Sequence, residues 1–279
     1  MGYSIQRARP PASAAVQAGQ IPALRPVQVE LFPGFAVELD LTDEMPRQVL
    51  RNVAGYEAPC PQLLRQFCTS PGDVFFDVGA NFGYFSYYLL AHAPHAVVHS
   101  FEPNADHVRR QRAVAARYAP DRYFPHQLGL SDQPGEVTLT MSTIDSGWST
   151  FGTNPHFTGQ EQTLRTQVTP VVSFDGWCAS QGLVLPATPS WVMKMDIEGY
   201  EVRALRGMEK ALRGRAFKAV LVEVLDHTLN FCGSSAGELF STMQRAGYVP
   251  FDVWLQPTVQ QPQEARNVLF LPANAPSGA

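Results

Sequence analysis

No stretch of about 20 consecutive apolar residues occurs in the 279-residue chain, so nothing in it reads as a membrane-spanning helix. Charge is also scarce. Asp, Glu, Lys and Arg supply 16% of the residues, against a usual share of about 25%. The 45% hydrophobic content nevertheless excludes a disordered chain. Lysine is nearly missing, with only Lys194, Lys210 and Lys218 present, and the net charge of −4 leaves no basic footprint for nucleic acid. Cysteine is sparse and scattered. Cys60, Cys68, Cys178 and Cys232 form neither a C-x-x-C pair nor the dense framework of a small secreted domain, so they read as free thiols of a cytoplasmic protein. A zinc site needs tighter clustering of Cys and His. Arg7 and Arg9 are followed by Pro10-Pro11 and an Ala/Gln-rich stretch, without the apolar run of a secretory signal.

What remains is an apolar chain long enough for a large core. Residues 1–26 lack any period and read as a flexible tail. Residues 27–41 alternate in two stretches around Pro33-Gly34, as a hairpin does. Residues 44–69 read as helix in two pieces, broken at Pro59 and Pro61. Together, 27–70 form an N-terminal extension. From Pro71 to Ala279 strands and helices alternate. Strands are expected at 74–78, 96–101, 122–127, 191–195, 218–224, 247–253 and 267–271, and helices at 83–92, 104–118, 199–213 and 235–246. Short β-branched runs such as Val220-Leu221-Val222 suit strands buried on both faces. The alternation predicts an open α/β sheet, mostly parallel, with helices on both faces. Residues 128–141 suggest a small extra hairpin. Residues 142–170 carry little period but many aromatics, including Trp148, Phe151, His156 and Phe157. A loop of that length is usually functional, and this one suits a substrate lid; the plainer reading is a satellite apolar cluster.

The segment Phe76-Asp77-Val78-Gly79-Ala80-Asn81-Phe82-Gly83 ends a strand, turns on glycines and opens a helix. By itself it reads equally as a tight turn with no ligand. Three acids change the balance: Asp77 before the glycines, Glu102 ending the next strand, and Asp196 ending the strand Trp191–Met195. Ligands of an open α/β sheet bind outside the carboxyl ends of its strands, and an acid ending the second strand suits a ribose diol. A dinucleotide would set its pyrophosphate on the glycine loop, where Asp77 would repel it. The spacing is also Gly-x-x-x-Gly and not Gly-x-Gly-x-x-Gly. S-adenosylmethionine, with an ammonium, a sulfonium, a ribose and no phosphate, fits these residues better than NAD.

The segments FDVGANFGYFS (76–86), SFEPN (100–104), GLSD and GEVTLT (129–140), KMDIEGYEVRALRG (194–207) and LVEV (221–224) resemble, in that order, the FkbM family of class I S-adenosylmethionine-dependent methyltransferases. The resemblance implies a Rossmann-like seven-stranded sheet whose last strand is antiparallel, and methylation of an oxygen on a sugar or natural product. Carried over by position, it sets Asp77, Gly79, Asn81 and Gly83 along the methionine part of the cofactor. It sets Glu102 at the ribose, Asn104 toward the adenine, and Ser131 and Asp132 near the adenine. Asp196 and Glu198 fall near the transferred methyl. Many members carry a histidine where this chain has Leu225; His227, two residues on, is the remaining histidine candidate for a base.

The expected activity is O-methylation of a small-molecule acceptor, with Asp196, Glu198 and His227 as catalytic candidates and Trp148 and His156 as acceptor contacts. No metal, nucleic acid or membrane partner is expected, and oligomeric state is not legible. Alternatives of other kinds stay open: N-methylation, cyclisation of the cofactor's own amino-acid arm, or a non-catalytic cofactor-binding domain.

Overall fold

The structure, a computed structural model, describes residues 26–53, 55–258 and 266–273. The expected tail lies outside them apart from Pro26. β1 (Val27–Phe32) and β2 (Phe35–Leu39) pair antiparallel, and the turn between them uses Gly34 at φ 81°. α1 (Glu44–Arg51) follows, capped by the Asp43 carboxylate, which accepts from the Met45 N–H. α2 (Cys60–Phe67) carries Pro61 in its first turn, where a missing N–H costs nothing. Pro61 therefore starts this helix and does not break it.

β3 (Val74–Val78), α3 (Tyr84–His92), β4 (Val97–Phe101), α4 (Ala105–Tyr118) and β5 (Tyr123–His126) follow in turn. Next come β6 (Gly129–Leu130), β7 (Gly135–Ser142), β8 (Leu164–Val172) and α5 (Phe174–Ser180). The remainder is β9 (Trp191–Met195), α6 (Glu201–Arg206), α7 (Glu209–Arg213), β10 (Phe217–Val224), α8 (Asp226–Phe231), α9 (Ala236–Arg245), β11 (Tyr248–Phe251) and β12 (Arg266–Pro272). Seven strands form the main sheet in the order β11-β12-β10-β9-β3-β4-β5. β5, β4, β3, β9 and β10 are parallel, and β12 alone runs against its neighbours β10 and β11. This is the Rossmann-like α/β arrangement expected, with its last strand reversed.

The period of two along each strand divides the core. Phe76, Met193, Val220 and Phe270 pack on one face with Phe174, Trp177 and Leu205. Phe75, Val192, Leu221 and Leu269 pack on the other with α2, α3 and the hairpin. Truncating a buried Phe of this kind typically costs about 3–5 kcal/mol.

Three expectations are corrected. The pairing partner of β7 is β8, which lies in the middle of a three-stranded sheet with β6 on its other side. There is thus no hairpin within 128–141, and the loop shrinks to 143–163, carrying three short 3-10 turns. Polar Thr166, Gln167 and Thr169 and the exposed Val168 masked the apolar rhythm of β8. The single helix expected at 199–213 is two, α6 and α7, parted at Gly207, where an added Cβ would lie 1.9 Å from the Ser131 carbonyl oxygen. The short helices α5 and α8 were not foreseen; each spans too few residues for a helical period to stand out.

Candidate active site

At the carboxyl edge of the parallel strands lies a cavity of about 440 Å³, within the range usual for small-molecule sites. Its walls come from the β3–α3 loop, the ends of β4, β9 and β10, the strands β6 and β7, residues 145–151, and the N-terminal extension.

One end is built on backbone amides. Gly79 turns at φ 75°, and a Cβ there would stand 1.8 Å from the Asp196 carbonyl oxygen, so only glycine lets the loop pass β9. Asn81 adopts a left-handed φ of 51°. Its N–H donates to Glu102 Oε2 at 2.7 Å, and its carbonyl accepts from Gln111 Nε2 at 2.6 Å. The Asn81 side-chain oxygen accepts from the Phe82 N–H and the Ser146 hydroxyl. Glu102 Oε1 accepts from the Asn104 N–H at 2.8 Å. Both Glu102 oxygens thus rest on amides, yet burial pushes the carboxyl up to about 7.

Several expected contacts fall elsewhere. Asp77 lies inside β3, fully buried beneath the loop. Its Oδ2 accepts from the Ser86 N–H and hydroxyl, and its Oδ1 has no hydrogen-bond partner. Gly83 opens α3 at φ 104° against the Tyr87 ring and does not reach the cavity wall. Asn104 caps α4 by accepting from the Asp106 and His107 N–H groups. The Ser131 hydroxyl donates to Asp132, which lies 3.7 Å from Arg203, and neither Ser131 nor Asp132 lines the cavity. Pro103, His107, Leu128, Gly129 and Leu130 take that part of the wall.

The other end is built on charge. Asp196, Glu198 and Glu223 bring carboxylate oxygens within 4.8 Å of one another. Glu57, from the loop before α2, joins them on the wall with Tyr56. Lys194, in β9, sets its Nζ 3.1 Å from Asp196 Oδ2, 3.3 Å from the Gly79 carbonyl oxygen and 5.1 Å from the centre of the Phe85 ring. Burial alone would lower the Lys194 pKa, but the charges of Asp196, Asp77 and Glu57 outweigh it and hold it above the ordinary lysine value. The Asp196 charge, followed by burial, drives Glu223 up to about 10. Burial, then the Asp196 charge, also raises Glu198 and Glu57. Glu201, by contrast, uses Oε1 to accept from the Ile197 and Gly199 N–H groups and holds the turn before α6.

The segment 143–151 closes over this end. The Ile144 carbonyl accepts from the Glu44 N–H, the Ser146 N–H donates to Asp43 Oδ1, and the Thr150 hydroxyl donates to the Glu198 carbonyl. Trp148 lines the cavity and stays 40% exposed. His227 sits in the first turn of α8 with its ring edge-on to Phe231, off the cavity wall. The His156 side chain lies outside the described residues. Among the expected site residues, the cavity therefore unites Gly79, Asn81, Glu102, Trp148, Asp196 and Glu198. Sequence reading missed Tyr56, Glu57, Asp145 and Glu223 as wall residues. The signals available were an acid inside the apolar run Leu221–Val224 and a lysine inside the apolar run Trp191–Met195.

A protein-family profile described as the methyltransferase FkbM domain matches residues 77–250. The hexuronic acid methyltransferase AglP of Haloferax volcanii is 28% identical over 202 residues, 72% of this chain and 76% of that protein. The 31-O-demethyl-FK506 methyltransferase FkbM of Streptomyces tacrolimicus is 28% identical over 201 residues, 64% of this chain and 73% of that protein. The AMB antimetabolite synthetase AmbE of Pseudomonas aeruginosa is 46% identical over 81 residues, which are 29% of this chain and 4% of that much longer protein.

Proposed function

Given that the chain belongs to the FkbM family and is a methyltransferase, we propose that it transfers a methyl group from S-adenosylmethionine, the donor of this family, to a hydroxyl oxygen of a small natural product or sugar. The residues present fit that donor. Glu102, ending the second parallel strand, is placed for a ribose diol. No arginine lines the cavity among the described residues, and its lysine is paired with Asp196, so a pyrophosphate finds no free cation there. Glu102 would hold the ribose, the loop 79–82 the methionine part, and Leu128–Leu130 the adenine side. When bound, the donor supplies an electrophilic methyl group on a sulfonium.

The observation that carries the acceptor class is the Asp196 carboxylate on the cavity wall, ion-paired with Lys194 at 3.1 Å. A hydroxyl is a poor nucleophile until a base draws its proton, and Asp196 is the group positioned to do so. An ionised Asp196 on the wall disfavours an anionic group beside it on the acceptor. Relatives named for an O-demethyl compound and an antimetabolite agree with a small natural product; the one named for a hexuronic acid points to a sugar. Segment 143–151, with Trp148, is the proposed lid over the acceptor, and the extension 27–70 completes its wall.

Calorimetry with S-adenosylhomocysteine, followed by methyl transfer to a panel of neutral alcohols and carboxylated sugars, tests the proposal. Micromolar binding and turnover of neutral alcohols are expected. Binding of NAD alone would refute the donor assignment. Release of methylthioadenosine from S-adenosylmethionine with no acceptor present would instead point to attack by the donor's own amino-acid arm.

A further inference from the structure

Asp196, Glu198 and Glu223 crowd the acceptor end with Glu57 and Asp145 nearby, and like charges that close cannot all ionise. Something must decide which of them carries the charge. The Lys194 ammonium makes its hydrogen bonds to Asp196 Oδ2 and the Gly79 carbonyl, and to no other carboxylate among the described residues. It has little freedom to choose another partner. Lys194 stands in the middle of the sheet, in register with Asp77 on β3 and Leu221 on β10. Its side chain is 7% exposed, and the Phe85 ring of α3 lies against the ammonium.

We propose that Lys194 is the positioning residue of the methyl transfer: it selects Asp196 as the ionised carboxylate of the acceptor end and ties that charge to the donor loop through the Gly79 carbonyl. The inference rests on the donor and base assignments above. It gives the other acids a different part. Burial, then the neighbouring Asp196 charge, raises the proton affinity of Glu57 and Glu198, and the Asp196 charge, then burial, raises that of Glu223. Asp196, the acid that Lys194 pairs, is left to draw the acceptor's proton. The cation that offsets the cluster is thus the protein's own ammonium.

The groups facing the pair come from every element packed around it. Asp77 and Glu102 approach from β3 and β4, Tyr56, Glu57 and Cys60 from the extension. Glu198 and Glu201 approach from the turn and helix after β9, Glu223 from β10, and Asp145 from the lid side. All are acidic or neutral. Removing the ammonium would therefore leave Asp196 among acids alone, and its proton affinity must rise.

Carboxyl 13C NMR of protein labelled at Asp and Glu, titrated from pH 3 to pH 10, tests this, with Asp196→Asn and Glu223→Gln assigning the two resonances. In Lys194→Met the Asp196 proton affinity should rise at least tenfold, a shift of one pH unit or more, while S-adenosylhomocysteine affinity changes less than tenfold. An Asp196 titration that stays in place in Lys194→Met would overturn the proposal. A second arm leaves Lys194 intact: in Asp196→Asn the Glu223 titration should fall by at least one pH unit. A Glu223 titration that does not move would show that the acids do not compete for charge, and the proposal would fail even if Lys194→Met does not fold. Failure of the wild type to bind S-adenosylhomocysteine would defeat the donor assignment and leave both titration shifts standing.

Discussion

The two ends of the cavity neutralise their carboxylates in opposite ways. At the donor end, Glu102 rests on the N–H groups of Asn81 and Asn104, which are fixed by the chain path and cannot rotate away. At the proposed acceptor end, Asp196 rests on one long side chain, and burial together with the Asp196 charge raises the proton affinity of Glu198 and Glu223. Amides hold a shape, whereas charges hold a protonation state. Under the proposed function, the first end recognises one unvarying ligand and the second changes its proton content during the reaction.

The largest effect that would sharpen this contrast is expected at Asp196. Asp196→Asn keeps the shape and removes the base, so turnover should fall about 10²- to 10⁴-fold, with S-adenosylhomocysteine affinity little changed. Normal turnover in that variant would end the assignment. At the other end, Glu102→Ala should weaken S-adenosylhomocysteine binding about 10- to 100-fold, since a hydrogen bond to a charged group contributes about 1.5–3 kcal/mol. An unchanged dissociation constant would remove Glu102 from the site.

The legible end was the one written in one stretch of sequence. Gly79, Asn81 and Glu102 lie in local patterns whose backbone demands are visible as glycines, a strand end and a helix start. Even there, the adjoining Asn104, Ser131 and Asp132 turned to capping and pairing, because side-chain direction is settled by neighbours that no local pattern names. The mostly parallel sheet followed from the alternation of strand and helix, and its seven strands and reversed last strand from the family resemblance; its strand order was not read from the sequence. The acceptor end joins Tyr56 and Glu57, Asp145 to Phe151, Lys194 to Glu198, and Glu223. Asp196, Glu198 and Trp148 were legible as parts of that end, but nothing in the sequence adds Tyr56, Glu57, Asp145 or Glu223 until the sheet assembles the segments.

A smaller effect concerns pH. Glu102 and Glu201 are both pushed up to about 7 when folded, from an ordinary value near 4.5. At these two groups the folded state binds more protons than the unfolded state between those values, so their contribution to stability falls as pH rises from about 4.5 through 7. His99, His107 and His126, which burial holds below the ordinary histidine value, act in the opposite sense. Each of the two acids contributes on the order of 3 kcal/mol at most. Denaturant titrations at several pH values check the trend, and Glu201→Gln should remove the Glu201 share of it. A Glu201→Gln variant whose stability changes with pH as the wild type's does would contradict the raised value of Glu201. The smallest effect expected is none: a chelator should leave turnover unchanged, because Lys194 already meets the Asp196 charge, and loss of activity restored by magnesium would show otherwise.

The contact between Gly79 and the Asp196 carbonyl has a bearing on how such enzymes can be recombined. β3 and β9 are far apart along the chain but adjacent in the sheet, and their tips meet with no room for one added carbon. A chimera whose crossover falls between them takes the donor loop from one parent and the acceptor acid from another. Its two halves must then agree on backbone position to within a fraction of an ångström. Crossovers before β3 or after β9 avoid that demand, so the interval from Gly79 to Asp196 should be inherited as one block when acceptor walls are exchanged between relatives.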